Sequence, residues 1–185
     1  INGNVGNTNF SNLSINVYII GFNHNSAREG NNRIHFKIGK IGGTQVALCD
    51  AKYQTSQSNN GYFNMNPNNS NAGGWANSYH RRTLLGNTGT PTSPPANSLL
   101  AALPADLRAV MKAVTKYSDN TGGGSNTASY VTSTTDYLFE LAEFEYHGAR
   151  TYANGAEQNY QAQYEYYRAG NSKVHYKHNA TGTAA

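Results

Sequence analysis

Glu140, Glu143 and His147 fall at i, i+3 and i+7 in the segment TTDYLFELAEFEYHGAR, residues 134–150. On a helix this spacing brings the three side chains toward one side. Three nitrogen and oxygen ligands can hold a metal where a coordination position stays open. A carboxylate beside an imidazole is also the minimum equipment for general acid–base hydrolysis. No coordination motif surrounds the trio, so the residues read first as a solvated helix face, with hydrolysis by Glu143 and His147 a distant third among functional readings.

Other reactive residue types are equally isolated. Cys49 is the one cysteine, which excludes an internal disulfide and a multi-thiolate metal site within one chain. In the setting Val46-Ala47-Leu48-Cys49 it reads as a small buried hydrophobe rather than a reactive thiol. His175 and His178 lie beside Lys173 and Lys177 in a strand-or-tail context that does not aim both imidazoles at one point. His80 adjoins Arg81 and Arg82, yet neighbouring arginines on a helix do not face one direction. Gly122 to Gly124 lacks the Lys-Ser/Thr and the preceding apolar strand of a phosphate loop and reads as a flexible turn. The sequence therefore implies no cofactor and no metal, and the expectation is a noncatalytic protein.

Tyrosine is the more informative residue, with 14 in the chain. Its ring is rigid and amphipathic, suited to protein contacts and to stacking on sugar faces. Tyr53, Tyr62, Phe63, Trp75 and Tyr79 are the candidates for one recognition surface. Core or subunit contacts are the competing assignment, above all for Trp75.

The elements that would position these residues are legible in outline. Residues 1–12 are rich in Asn and Gly and read as an irregular arm, followed by a single domain over residues 13–185. Leu13, Ile15, Val17 and Ile19 at period two, then Ile20 and Phe22, predict a strand packed on a core. Ile34, Phe36 and Ile38 predict a second strand, and Thr44 to Cys49, after a Gly42-Gly43 turn, a third. Residues 50–71 read as a long polar loop. Trp75, Tyr79 and Arg82 to Leu85 share a predicted helical face starting near Asn77 or Ser78. Ser98 or Asn97 is expected to cap a helix containing Leu99, Leu100 and Leu103. Pro104 and Asp106 open another, whose apolar stripe is Leu107, Val110, Met111 and Val114. Residues 116–129 read as a loop, Val131 to Thr135 as a strand, and Asp136 to His147 as a helix ended by Gly148.

Composition narrows the function classes. Charged residues are 13% of the chain, and the formal charge of +4 is scattered, with no run denser than Arg81-Arg82. Nucleic-acid binding concentrates positive charge against phosphates, so it is not expected. No apolar run approaches the roughly 20 residues of a membrane-spanning helix, so insertion is not expected either. Abundant amide, hydroxyl and phenol groups favour an extracellular, bacterial-surface or virion setting.

The blocks GGWANSYHRRTLLG, LLAALPADLRAVMKAVTKYSDNTGGGS and TTDYLFELAEFEYHGAR resemble a bacterial and prophage-associated domain family. The segments IIGFNHN and AGNSKVHYKHNATGTA extend the resemblance from Leu13 to Ala185. Its members usually continue into a Trp-Leu-Arg-Ser-Pro signature. The resemblance implies an α+β fold, a divergent C-type-lectin-like domain of the kind found in adhesin-like and phage-tail proteins. It marks Trp75, Tyr79, Arg82, Leu84, Leu85, Leu103, Leu107, Val110, Leu138, Phe139 and Glu143 as framework positions, and it supplies no catalytic group. Because the signature does not occur before Ala185, a continuation or another chain is expected to complete the core, or the domain is an assembly-adapted form. The functional expectation is attachment to a host-surface glycan or protein. The alternative is a structural virion or appendage subunit whose aromatic residues bury interfaces, in a homo-oligomer or larger assembly.

Overall fold

A computed structural model describes residues 1–6, 8–38, 65–66, 70–123 and 125–171. Within them the chain is a mixed α/β fold of small antiparallel sheets and short helices. The first sheet pairs β1 (Gly3–Val5) with β2 (Thr8–Phe10), where the sequence reads as an irregular arm. Val5 and Phe10 are buried with Leu85, Leu99 and Ala102, and Ile1, Leu13, Trp75 and Leu138 pack around them. Burying these two apolar side chains is what gives the Asn-rich segment a fixed conformation.

The second sheet pairs β3 (Val17–Phe22) with β4 (Ile34–Ile38), joined through α1 (Ser26–Glu29). Both strands are expected from the sequence, but the side facing the protein is not. A β-bulge between Ile19 and Gly21 places one extra residue on β3. Val17, Ile19 and Phe22 thus share one face with Ile38, Phe36 and Ile34, whereas Ile20, Gly21 and His35 turn inward. The inner face meets Tyr164 and Tyr167 in a second core cluster with Tyr146, joined by Phe139, Leu141 and Tyr166.

The predicted helix through Trp75 and Tyr79 is two pieces. After α2 (Gly74–Asn77) the backbone is extended at Ser78, and a π-helical turn occupies His80–Leu84. Ser78 still acts at the break, its Oγ accepting the Arg81 N–H at 3.1 Å. Beyond it, α3 (Leu99–Ala102) is capped as expected, with Ser98 Oγ accepting the Ala101 N–H at 3.2 Å.

The next helix, α4 (Ala105–Val110), starts after Pro104 but ends before Met111, and Val114 opens β5 (Val114–Asp119) where helix and then loop are predicted. The period-two set Val114, Lys116 and Ser118 pairs in register with β6 (Val131–Asp136), so tertiary pairing overrides local helix periodicity. Leu107 and Val110 are exposed.

The predicted helix over residues 136–147 survives only as α5 (Glu143–His147), closed at Gly148 in the left-handed region. Upstream, the Asn87 side chain accepts the Tyr137 N–H at 2.8 Å and donates to the Leu138 carbonyl at 2.6 Å, tying that stretch into a bend rather than a helical turn. Leu138 then packs on the first core and Phe139 on the second. The described chain closes through α6 (Glu165–Arg168), which carries Tyr167 against β3.

Candidate functional site

The β3–β4 hairpin presents two chemically opposite faces. On the inner one, His24 and His35 are 8% and 5% exposed and both meet Tyr164, which is itself buried. The His24 ring stacks on Tyr164 at 3.6 Å between centroids, and His35 Nδ1 shares a hydrogen bond of 2.8 Å with the Tyr164 hydroxyl. Burial, reinforced by Lys116 at His24 and by His24 itself at His35, lowers both imidazoles from 6.5 to about 4. Burial likewise pushes the Tyr164 phenol far above its ordinary value. At neutral pH these groups are therefore uncharged packing elements joined by one polar contact.

On the outer face, Val17, Ile19, Phe22, Ile34, Phe36 and Ile38 are 36–55% exposed. The register sets Val17 opposite Ile38, Ile19 opposite Phe36 and Phe22 opposite Ile34. Such cross-strand pairs form a continuous apolar surface with no polar side-chain group among the six. The sequence predicts Val17, Ile19 and Phe22 on a strand packed on a core and Ile34, Phe36 and Ile38 on a second strand, whereas in the structure all six are exposed. The signal that separates the faces is the Ile19-Ile20-Gly21 step, where consecutive apolar residues and a glycine break strict alternation.

Glu140 and Glu143 each make contacts within the fold. Glu140 precedes α5 and meets His80, with Nε2 to Oε1 at 3.0 Å, so it does not join Glu143 and His147 on one helical face. Burial opposes ionisation of Glu143, but the N–H groups of Ala153, Tyr152 and Thr151 donate to it at 2.7–2.9 Å and hold its carboxyl below the ordinary value. Lys116 donates to buried Glu145, whose Oε2 also accepts the Ala142 N–H at 2.9 Å, and the ammonium lies 4.7 Å from the centre of the Phe139 ring. Asp136, fully buried, accepts from Trp75 Nε1 at 2.8 Å, Arg81 Nε at 2.6 Å and Thr134 Oγ1 at 2.8 Å. Among the described residues no group of three or more His, Cys, Asp or Glu side chains is arranged to hold a metal.

Trp75 and Tyr79, the two recognition candidates among the described residues, line different pockets. Tyr53, Tyr62 and Phe63 lie outside the described residues, as do Cys49, His175, His178 and the predicted third strand. Trp75 is tied to Asp136 and lines a pocket of about 210 Å³ with Met65, Lys116, Tyr117 and Glu140. Tyr79 lines a different pocket of about 330 Å³ with Asn66, Asn77, Arg82, Thr83 and Thr88. Neither pocket is lined by Glu143 or His147. Of the framework positions, Leu84 and Leu85 are buried, Leu103, Leu138 and Phe139 are partly buried, and Arg82 is exposed.

Elsewhere the tyrosines divide: Tyr164 and Tyr167 are buried, whereas Tyr18, Tyr152 and Tyr160 are exposed. Tyr117 and Tyr160 stack at 4.2 Å, with the Arg28 guanidinium within 5.4 Å of both ring centres. No protein-family model, curated protein or solved structure matches this chain.

Proposed function

We propose that this chain is a noncatalytic subunit of an extracellular, bacterial-surface or virion assembly, and that its working surface is the outer face of the β3–β4 hairpin. One observation carries the reading: six large apolar side chains share that face and are each a third to a half exposed. A contiguous apolar patch of several hundred Å² marks an interaction site in a folded protein. The low charge density supports a surface setting, and the lectin-like framework belongs to the same proposal on the strength of the sequence blocks alone. Hydroxyl-radical footprinting of the dilute monomer tests it directly. Strong oxidation of Phe22 and Phe36 is expected; their protection in the monomer, where the chain would cover its own hairpin, refutes the reading.

A second reading, attachment through a host-surface glycan, is favoured by the Tyr79 pocket. An aromatic wall bordered by two amides, two threonine hydroxyls and a guanidinium is suited to a polyhydroxylated ligand. Glycan-array binding that is lost in Tyr79→Ala and Arg82→Ala supports it. An array with no signal above background for the folded protein removes it.

A further inference from the structure

Resting on the interaction reading of the hairpin, we propose that its outer face is covered by the same face of a second copy of this chain, in an isologous two-fold dimer. The chemistry of the surface selects the occupant. Val17, Ile19, Phe22, Ile34, Phe36 and Ile38 offer no side-chain donor, acceptor or charge. A saccharide or a charged peptide laid on them would lose hydration without regaining hydrogen bonds. A second apolar sheet face loses nothing of that kind.

Geometry favours the same choice. Two sheets packed face to face sit about 10 Å apart with interdigitated side chains, and aliphatic residues next to phenylalanines supply both the knobs and the gaps. A two-fold axis needs one patch that complements itself, and here both strands contribute the same kinds of residue. Half-exposed side chains of this size present roughly 90 Å² each, so two copies together would bury on the order of 1,000 Å², the lower bound for a specific interface. The net charge is only +4 and none of it lies on the six side chains, so bringing two copies together meets little repulsion.

Sedimentation equilibrium of the full 185-residue chain, from low to high micromolar concentration, tests the proposal. The expected result is a reversible monomer–dimer equilibrium that Phe36→Lys weakens by about tenfold or more. A photo-crosslinking benzoyl-phenylalanine placed at Phe36 should capture a second chain at Ile19, Ile34 or Phe36, and this measurement does not depend on the lysine variant folding. A dimer insensitive to Phe36→Lys, with crosslinks mapping elsewhere, overturns the proposal. So does a chain that stays monomeric throughout. If Phe22 and Phe36 are freely oxidised in that monomer, the hairpin keeps its interaction role with a different partner; if they are protected, both readings fall together.

Discussion

Acid should destabilise this protein at a pH where its carboxylates are still largely ionised, because His24 and His35 are packed uncharged against Tyr164. Their folded values lie near 4 and their ordinary value is 6.5. A histidine whose folded pKa is depressed takes up its proton first in the unfolded chain. Its contribution to stability is complete above about pH 6.5, and it is lost as pH falls from 6.5 toward 4. At about 1.4 kcal/mol per pH unit, the gap is worth on the order of 3 kcal/mol for one imidazole, and roughly 2 kcal/mol of that is gone by pH 5. The rings are 5.8 Å apart, so the second proton is harder to add in the folded state and the two contributions are coupled. A combined loss of about 3 kcal/mol between pH 7 and pH 5 is the working figure, a large fraction of the 5–15 kcal/mol that holds a typical domain together.

Urea denaturation at closely spaced pH values is the assay, with His24→Phe/His35→Gln as the comparison. Phenylalanine keeps a ring on the Tyr164 face, and glutamine keeps a hydrogen-bonding partner for the Tyr164 hydroxyl. The double variant should have a nearly flat stability profile between pH 7 and pH 5. Glu157 works against the effect, since burial raises its pKa and its protonation favours the folded state as pH falls. A wild-type profile that changes by less than about 1 kcal/mol over this window would refute the assignment of both imidazoles to a neutral buried cluster.

Two further outcomes follow from single contacts. Asp136→Ala strands the Arg81 guanidinium and the Trp75 indole N–H together, and breaking a buried pair of this kind costs about 3–5 kcal/mol, or roughly 2 M in the urea midpoint. Asp136→Asn should fall between this variant and wild type, and a loss below 1 kcal/mol for Asp136→Ala would show the hub to be dispensable. Gly122→Ala and Gly30→Ala form a matched pair with φ of +72° and +74°. At Gly122 the new Cβ would sit 1.8 Å from the Asn71 carbonyl oxygen, whereas at Gly30 nothing lies within 4 Å. Gly30 also has ψ of −175°, a region only glycine adopts readily, so thermal unfolding should register a backbone cost of about 1–3 kcal/mol there and a substantially larger loss at Gly122; equal losses would contradict the close approach.

What the sequence made legible was local: the β3 and β4 strands, the Ser98 cap, the Pro104 start and the Gly148 stop all depend on near neighbours. The failures came where a distant residue decides. Residues 137–142 carry helix-like apolar spacing, yet Asn87, some 50 positions away, ties Tyr137 and Leu138 into a non-helical bend. Val114 completes a helical stripe on paper and pairs with Asp136 in the fold. The outer hairpin face is illegible for the same reason, since apolar period two shows that a strand has two different faces without showing which one the rest of the chain will cover. Nor did polarity help, because the inward positions include histidines that become acceptable only once Tyr164 supplies a ring and a hydroxyl.

The bulge at Ile19/Gly21 joins the two halves of the functional argument. Strict alternation from Val17 would turn Gly21 outward and Phe22 inward, onto the tyrosines. One extra residue keeps Ile20 and Gly21 on the inner side and delivers Phe22 to the outer face beside Ile34. Gly21 sits close to the cluster: a Cβ there would come within 3.2 Å of the Tyr164 ring, the same ring that stacks on His24, and the ring would have to shift to admit it. The bulge therefore adds Phe22 to the outer face while leaving Gly21 against the histidine–tyrosine cluster. Anything that loosens the inner packing also disorders the outer surface, so low pH should weaken association through this face at the same time as it lowers stability.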